Sequence, residues 1–245
     1  MAGKGPKARI KKTLNALGYE LRRFDPVGSF AKRRQRLLET ERVGTVIDIG
    51  AHAGEYGQAL RHGGYDGKIV SFEPLRSQHS KLEAAARSDG RWTCTQAAVG
   101  DRAGQTTIHI SGNDGFSSSI RPMGTAHELA DPSSAYVGSA VVDVITLDEA
   151  GARLDAEDRV MLKIDAQGYE AEILAGGERT LRRCSIVELE LALTELYEGQ
   201  ALFVDLIDQM LDSGFALTDV ESGFRDPRTS RLLQLDGLFV RSPVQ

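Results

Sequence analysis

Four carboxylates in this sequence lie at or near the ends of short apolar runs that are typical of buried strands. They are Asp48, Glu73, Asp165 and Glu190. The carboxyl ends of parallel strands meet at one edge of a sheet, and ligands of open α/β sheets bind there. A carboxylate at that edge can accept a hydrogen bond from a hydroxyl, balance a cation or remove a proton. The sequence therefore predicts an acidic ligand site.

The first of these runs continues into a glycine turn that narrows the choice of ligand. Asp48 is followed by the turn Gly50-Ala-His-Ala-Gly54 and then by a predicted helix, residues 55–62. A phosphate binder has a different glycine spacing, and Asp48 would repel a phosphate. S-adenosylmethionine carries an ammonium, a sulfonium and no phosphate, and Glu73 is placed to accept hydrogen bonds from its two ribose hydroxyls. The alternative is a helix-capping Asp48 and an ordinary turn.

Three further positions are candidates for the rest of the site. Ala98 belongs to a pair of small residues that either adjoin a flat adenine or pack tightly in a strand. Asp165 is our candidate for the base that removes a hydroxyl proton, with Glu190 as its neighbour. The same two carboxylates could instead hold a divalent metal such as Mg²⁺. A helix N-cap is the structural alternative for Asp165.

The composition indicates one soluble α/β domain with an appendage. The net charge of the 245-residue chain is −5, which gives no sign of nucleic-acid binding. Its two cysteines are expected to be free thiols, and no apolar run reaches the roughly 20 residues that span a membrane. No secretory signal is apparent, so we expect a cytoplasmic protein.

Residues 1–42 differ from the rest and form a predicted basic, helical extension. They contain twelve Lys and Arg residues and only four acids. Ile10, Leu14 and Leu17 share one helical face that Gly18 could end, and residues 33–40 suggest a second helix. The basic face is either simply solvated or in peripheral contact with a membrane or a lipid-linked substrate.

The order of predicted elements in residues 43–245 indicates one mostly parallel sheet. Strands are predicted over 92–99, 105–110, 141–145, 185–191, 215–220 and 233–240, and helices over 168–182 and 202–211. Residues 111–140 are irregular and predict a lid or substrate-side insertion. The pattern suits the Rossmann-like, seven-stranded class I methyltransferase fold, order 3-2-1-4-5-7-6.

The chain also resembles the FkbM family of S-adenosylmethionine-dependent methyltransferases. The resemblance implies methylation of a hydroxyl on a small molecule, sugar, glycolipid or polyketide, and it adds His52, Tyr56 and Pro74 to the cofactor-binding candidates. His52 stands where the family usually has Asn. A nicotinamide-dependent oxidoreductase and a non-catalytic cofactor-binding module are the alternatives. The matching motifs are Val46-Ile-Asp-Ile-Gly-Ala-His-Ala-Gly-Glu-Tyr56, Ser71-Phe-Glu-Pro74, Ala97-Ala-Val-Gly-Asp101, Ser117-Ser-Ser119, Thr146-Leu-Asp-Glu149, Leu162-Lys-Ile-Asp-Ala-Gln-Gly-Tyr-Glu170, Glu190 and Leu196-Tyr-Glu-Gly199.

Overall fold

A computed structural model describes residues 28–242 together with residues 10, 12–14, 16 and 17. Within these residues a large sheet of seven strands is flanked by helices. The strands of this sheet are Thr45–Ile49 (β1), Lys68–Phe72 (β2), Trp92–Thr95 (β3), Val160–Ile164 (β7), Cys184–Ala192 (β8), Phe215–Ser222 (β9) and Gln234–Arg241 (β10). A smaller sheet contains Ala98–Gly100 (β4), Gly104–Ser111 (β5) and Tyr136–Thr146 (β6).

The strand order of the large sheet confirms the predicted class I methyltransferase fold. It is β3-β2-β1-β7-β8-β10-β9, and only β10 runs antiparallel to its neighbours. β1 therefore lies between β2 and β7. The strand order reverses here, because β2 and β3 lie on one side of β1, and β7 and the later strands of this sheet lie on the other. Asp48 pairs in register with Ser71 on one side and Lys163 on the other. This switch point is where ligands of such sheets bind.

Helices cover the large sheet, so that its central strands are buried on both faces. Every residue of β1 and β7 is buried, as expected for apolar parallel strands between two helical layers. Ile47 and Val46, which point to opposite faces of the sheet, belong to different core clusters. The helices are Phe30–Thr40 (α1), Glu55–Gly63 (α2), Arg76–Ala86 (α3), Thr125–Ala130 (α4), Leu147–Gly151 (α5), Glu170–Ala175 (α6), Glu178–Arg183 (α7) and Phe203–Asp212 (α8).

The prediction of a single third strand over residues 92–99 is wrong. The chain turns after β3, and β4 leaves the large sheet to pair in parallel with β6. β6 also pairs with β5 in an antiparallel ladder, which completes the smaller sheet. Both halves are strands with similar local propensity, so only their tertiary partners distinguish them.

The prediction of one helix over residues 168–182 is also wrong, because two glycines divide it into α6 and α7. A Cβ on Gly176 would lie 2.1 Å from the backbone oxygen of Gly100, and one on Gly177 would lie 2.2 Å from Leu147. The chain therefore comes too close to these neighbours for any larger residue. This approach interrupts the helical periodicity that the sequence suggested.

Residues 111–140 are more regular than predicted. They include α4, a 3₁₀ turn at Pro132–Ser134 and the start of β6, so the irregular part is confined to residues 112–124. His127 on α4 is buried between the rings of Tyr197 and Phe224.

The N-terminal extension is only partly covered by the structure. Residues 10, 12–14 and 16 are helical, Gly18 lies outside the described residues, and the predicted second helix corresponds to α1. Within the described part of the chain, no helix is both long and apolar enough to cross a bilayer. Cys94 and Cys184 are free thiols, as predicted.

Candidate active site

A cavity of about 400 Å³ opens at the carboxyl ends of β1, β2 and β7. This volume lies in the usual range for small-ligand sites. Seven of the predicted site residues line it: Gly50, His52, Tyr56, Glu73, Pro74, Ala98 and Asp165. Asp48, Gly54 and Glu190 do not line it.

The glycine turn brings the backbone of β1 to the cavity. Gly50 has φ +73°, and a Cβ at that position would lie 1.8 Å from the backbone oxygen of Asp165, so only glycine fits. The N–H groups of Gly50 and Ala51 both donate to the Phe72 carbonyl. Gly54, with φ +93°, is the N-cap of α2. The alternative of a helix-capping Asp48 is therefore wrong.

Glu73 is oriented by two backbone donors and faces the cavity. The N–H of His52 donates to Oε2 (2.9 Å), and that of Leu75 donates to Oε1 (2.8 Å). Each oxygen keeps acceptor capacity for one further donor. Burial raises the pKa of Glu73, although these N–H groups oppose the rise. A rigid carboxylate with two free acceptor positions can bind a vicinal diol.

Asp48 contacts a residue that the sequence analysis did not single out, Lys163. Asp48 is fully buried, Ser71 Oγ donates to it (3.0 Å), and Lys163 Nζ lies 3.4 Å from its Oδ1. Lys163 lines the cavity and donates to the Gly50 carbonyl (3.1 Å). The signal in the sequence was a lysine inside an otherwise apolar buried strand. Direct binding of the cofactor by Asp48 stays a prediction.

Asp165 and Glu190 are held together by one side-chain amide. Gln167 Nε2 donates to Asp165 Oδ1 (2.8 Å) and to Glu190 Oε2 (2.9 Å), and Tyr197 donates its hydroxyl to Gln167 Oε1 (2.6 Å). Gln167 is thus a second residue that the sequence analysis missed. α6 begins at Glu170 and has Tyr169 at its N-cap, so Asp165 is not a helix cap.

The electrostatics of this pair favour one proton, carried by Glu190. Burial raises the pKa of Glu190 well above its usual value, and the charge of Asp165 raises it further. Burial would also raise the pKa of Asp165, but Lys163, 3.6 Å away, and the Gln167 amide outweigh burial and lower it. Asp165 is therefore an ionised carboxylate at the cavity wall.

The predicted divalent metal finds no support at these carboxylates. Within residues 28–242 and the described positions before them, no group of three or more His, Cys, Asp or Glu residues is arranged to hold a metal ion. Gln167 also presents its amide nitrogen, a donor, to the space between Asp165 and Glu190. A cation placed there would meet the positive end of that dipole.

A loop from the irregular segment closes another side of the cavity. His52 Nε2 contacts the Asp114 carbonyl (2.9 Å), and Lys81 pairs with the Asp114 carboxylate (2.8 Å). The ring of Phe116 stacks on His52 with centroids 4.0 Å apart, yet 56% of Phe116 is exposed. Ser118 and further residues of this loop line the cavity. The unusual His52 therefore joins the glycine turn to the loop.

Two solved methyltransferase structures are similar to this chain at low sequence identity. Fibrillarin from Aeropyrum pernix, crystallised with S-adenosyl-L-methionine, is 13% identical, with a TM-score of 0.46 over 80% of this chain and 66% of that one. A TehB-like SAM-dependent methyltransferase from Corynebacterium glutamicum is 10% identical, with a TM-score of 0.42 over 96% of each chain.

One characterised relative and one family model match most of this sequence. The 2-O-methyltransferase NoeI of Sinorhizobium fredii is 26% identical over 206 residues, which cover 80% of this chain and 85% of NoeI. The model of the methyltransferase FkbM domain matches residues 48–217, more than half of the chain. The chain therefore belongs to the FkbM methyltransferase family and is an S-adenosylmethionine-dependent methyltransferase.

Proposed function

We propose that this enzyme transfers the methyl group to a hydroxyl of a small molecule or sugar. The observation that carries the proposal is the Asp165 carboxylate at the cavity wall, which accepts a hydrogen bond from Gln167 Nε2 (2.8 Å) and lies 3.6 Å from Lys163 Nζ. The name of NoeI, a 2-O-methyltransferase, agrees with a hydroxyl acceptor.

The residues that line the cavity support S-adenosylmethionine as its ligand. S-adenosylmethionine supplies an activated methyl group on a cationic sulfur. Glu73 has two acceptor positions for the ribose hydroxyls, and Gly50 lets the backbone approach closely. Ala98, whose small side chain lines the cavity, leaves room for the adenine. The acidic wall favours a cation over a phosphate.

Asp165 would receive the acceptor's proton. The acceptor hydroxyl would donate a hydrogen bond to Asp165, and S-adenosylmethionine would supply the methyl group on a sulfur that leaves as a neutral thioether. The hydroxyl proton would become strongly acidic as its oxygen gains the methyl group. Asp165 is therefore a sufficient base even though its pKa is lowered. Lys163 keeps Asp165 ionised, and the protonated Glu190 avoids a second charge beside it. Correct placement supplies much of the remaining acceleration.

The acceptor would enter beside residues 112–124. Phe116 lines the cavity and is exposed, while contacts of Asp114 with His52 and Lys81 attach the loop to the glycine turn and to α3. We therefore assign this part of the insertion to the substrate side. Contact of the basic N-terminus with a membrane, and a cytoplasmic location, stay predictions. Neither the oxidoreductase nor the non-catalytic alternative receives support from the family match.

The test is labelled methyl transfer to a panel of glycosides and phenols, followed by mass spectrometry. Asp165→Ala should bind S-adenosylhomocysteine with nearly unchanged affinity and lose at least about 100-fold in methyl transfer. Asp143→Ala, which removes an exposed carboxylate on β6, is the matched control and should keep full activity. Full activity of Asp165→Ala would remove Asp165 from the mechanism, and methylation only at nitrogen or carbon would refute the hydroxyl acceptor.

A further inference from the structure

Helix α1 inserts an arginine into the protein interior. Arg34 is only 8% exposed, and its Nη1 donates to both oxygens of Glu188 on β8, at 2.9 and 3.2 Å. Glu188 is also buried. A buried ion pair often contributes no more stability than two apolar side chains would, so its presence calls for another explanation.

The same carboxylate binds a residue of the cavity wall. Tyr56 donates its hydroxyl to Glu188 Oε2 (2.8 Å), and the Arg34 guanidinium lies 4.5 Å from the centre of the Tyr56 ring. Burial and the nearby Glu188 raise the pKa of Tyr56 well above its usual value, so the hydroxyl remains a donor. Arg34 thus fixes both the ring of Tyr56 and its hydrogen-bond acceptor.

Tyr56 in turn contacts the cation that holds the glycine turn. Lys163 Nζ lies 5.3 Å from the centre of the Tyr56 ring and donates to the carbonyl of Gly50. A continuous series of contacts therefore leads from α1 through Glu188, Tyr56 and Lys163 to the turn. We propose that Arg34 is a positioning residue for cofactor binding, which acts by fixing Tyr56 and Lys163 beneath the Gly50 turn.

This role lies outside what the family match assigns, because that match begins at residue 48. It makes α1 part of the cofactor site instead of an accessory helix. The inference depends on cofactor binding, not on the identity of the acceptor. The neighbouring Arg33 offers a comparison, because it forms an ion pair with Asp219 on β9, and neither of these residues lines the cavity.

The experiment compares Arg34→Met with Arg33→Met by calorimetric titration with S-adenosylhomocysteine, well below the melting temperature of each variant. Each substitution removes one positive charge from α1. We expect affinity at least about tenfold weaker for Arg34→Met and within about twofold of the wild type for Arg33→Met. Arg34→Lys, which keeps the charge, should recover most of the affinity. Wild-type affinity in Arg34→Met would overturn the proposal.

A double variant separates positioning from stability. Arg34→Met leaves Glu188 buried without its partner and could unfold the protein, whereas Arg34→Met with Glu188→Met replaces the pair by apolar side chains. The Tyr56 hydroxyl also loses its acceptor, so we expect the double variant to recover only part of the lost stability and still to bind S-adenosylhomocysteine at least about tenfold more weakly. Recovery of wild-type affinity would show that the pair only stabilises α1. Absence of O-methylation by the wild type would instead refute the proposed function.

Discussion

Replacement of Lys163 by methionine removes the positive charge between Asp48 and Asp165. At the observed 3.4 Å and an effective dielectric constant of about 20, the attraction between Lys163 and Asp48 is about 5 kcal/mol. The dehydration of the buried ammonium offsets part of this attraction. Loss of one partner of a buried pair costs about 3–5 kcal/mol, and we expect this decrease in the free energy of unfolding at pH 7.

The decrease in the free energy of unfolding of Lys163→Met should be larger at pH 7 than at pH 5. Burial already raises the pKa of Asp48 in the wild type, and loss of the Lys163 charge raises it further. A carboxyl whose pKa is higher in the folded than in the unfolded protein lowers stability as the pH rises above its unfolded pKa of about 3.9. The change reaches about 1.4 kcal/mol per pH unit, so the decrease at pH 5 should be smaller than at pH 7 by up to about 2.7 kcal/mol.

Urea unfolding at the two pH values measures this effect. Trp92, the single tryptophan, is buried and donates to Ser71 Oγ beside Asp48, so its fluorescence should report the transition. Lys163→Met with Asp48→Asn is the control, because it removes both charges and should recover most of the stability. A decrease below about 1 kcal/mol, or one that is equal at pH 5 and pH 7, would refute the buried ion pair.

Two further predictions concern the turn and the metal. Gly50→Ala should weaken S-adenosylhomocysteine binding in calorimetry by at least about tenfold, since its Cβ would collide with the Asp165 backbone. Gly64→Ala has a similar positive φ but open space around it, and it should cost only about 1 kcal/mol of stability without affecting binding. Equal losses of S-adenosylhomocysteine affinity in the two variants would contradict this prediction, because they would show that backbone strain at positive φ, and not the collision with Asp165, weakens binding. Chelation with EDTA should leave methyl transfer unchanged, whereas a loss that Mg²⁺ restores would support a metal at Asp165 and Glu190.

The sequence was sufficient to predict the large sheet, and seven of the predicted site residues line the cavity at the carboxyl ends of β1, β2 and β7. The apolar runs at Asp48, Glu73 and Asp165 have the lengths of buried strands, and glycines follow Asp48 and Asp165 within a few residues; these are local properties. The break between β3 and β4 is not local, because it depends on which strand each half pairs with. The division between α6 and α7 likewise arises from the contact of Gly176 with β4.

The contacts of the charged residues were harder to predict for the same reason. The expectation that Asp48 binds the cofactor stays a prediction, and its pairing with Lys163 was not foreseen. Lys163 lies on β7, which is separated from β1 by β2 and β3 along the chain but is its neighbour in the large sheet. The contact between Lys163 and Asp48 can therefore be predicted only from the sheet order and the register together. The amide of Gln167 between two carboxylates could not be inferred from spacing, since it depends on the left-handed backbone of residue 167.

The most direct test of the proposed methyl-transfer site is a crystal structure of the protein with S-adenosylhomocysteine. We expect both ribose hydroxyls within hydrogen-bond distance of Glu73, the adenine beside Ala98, and the sulfur facing the side of the cavity that Asp165 lines. Nucleoside bound elsewhere, or Glu73 without a contact to the ribose, would contradict the assignment of this cavity as the methyl-transfer site.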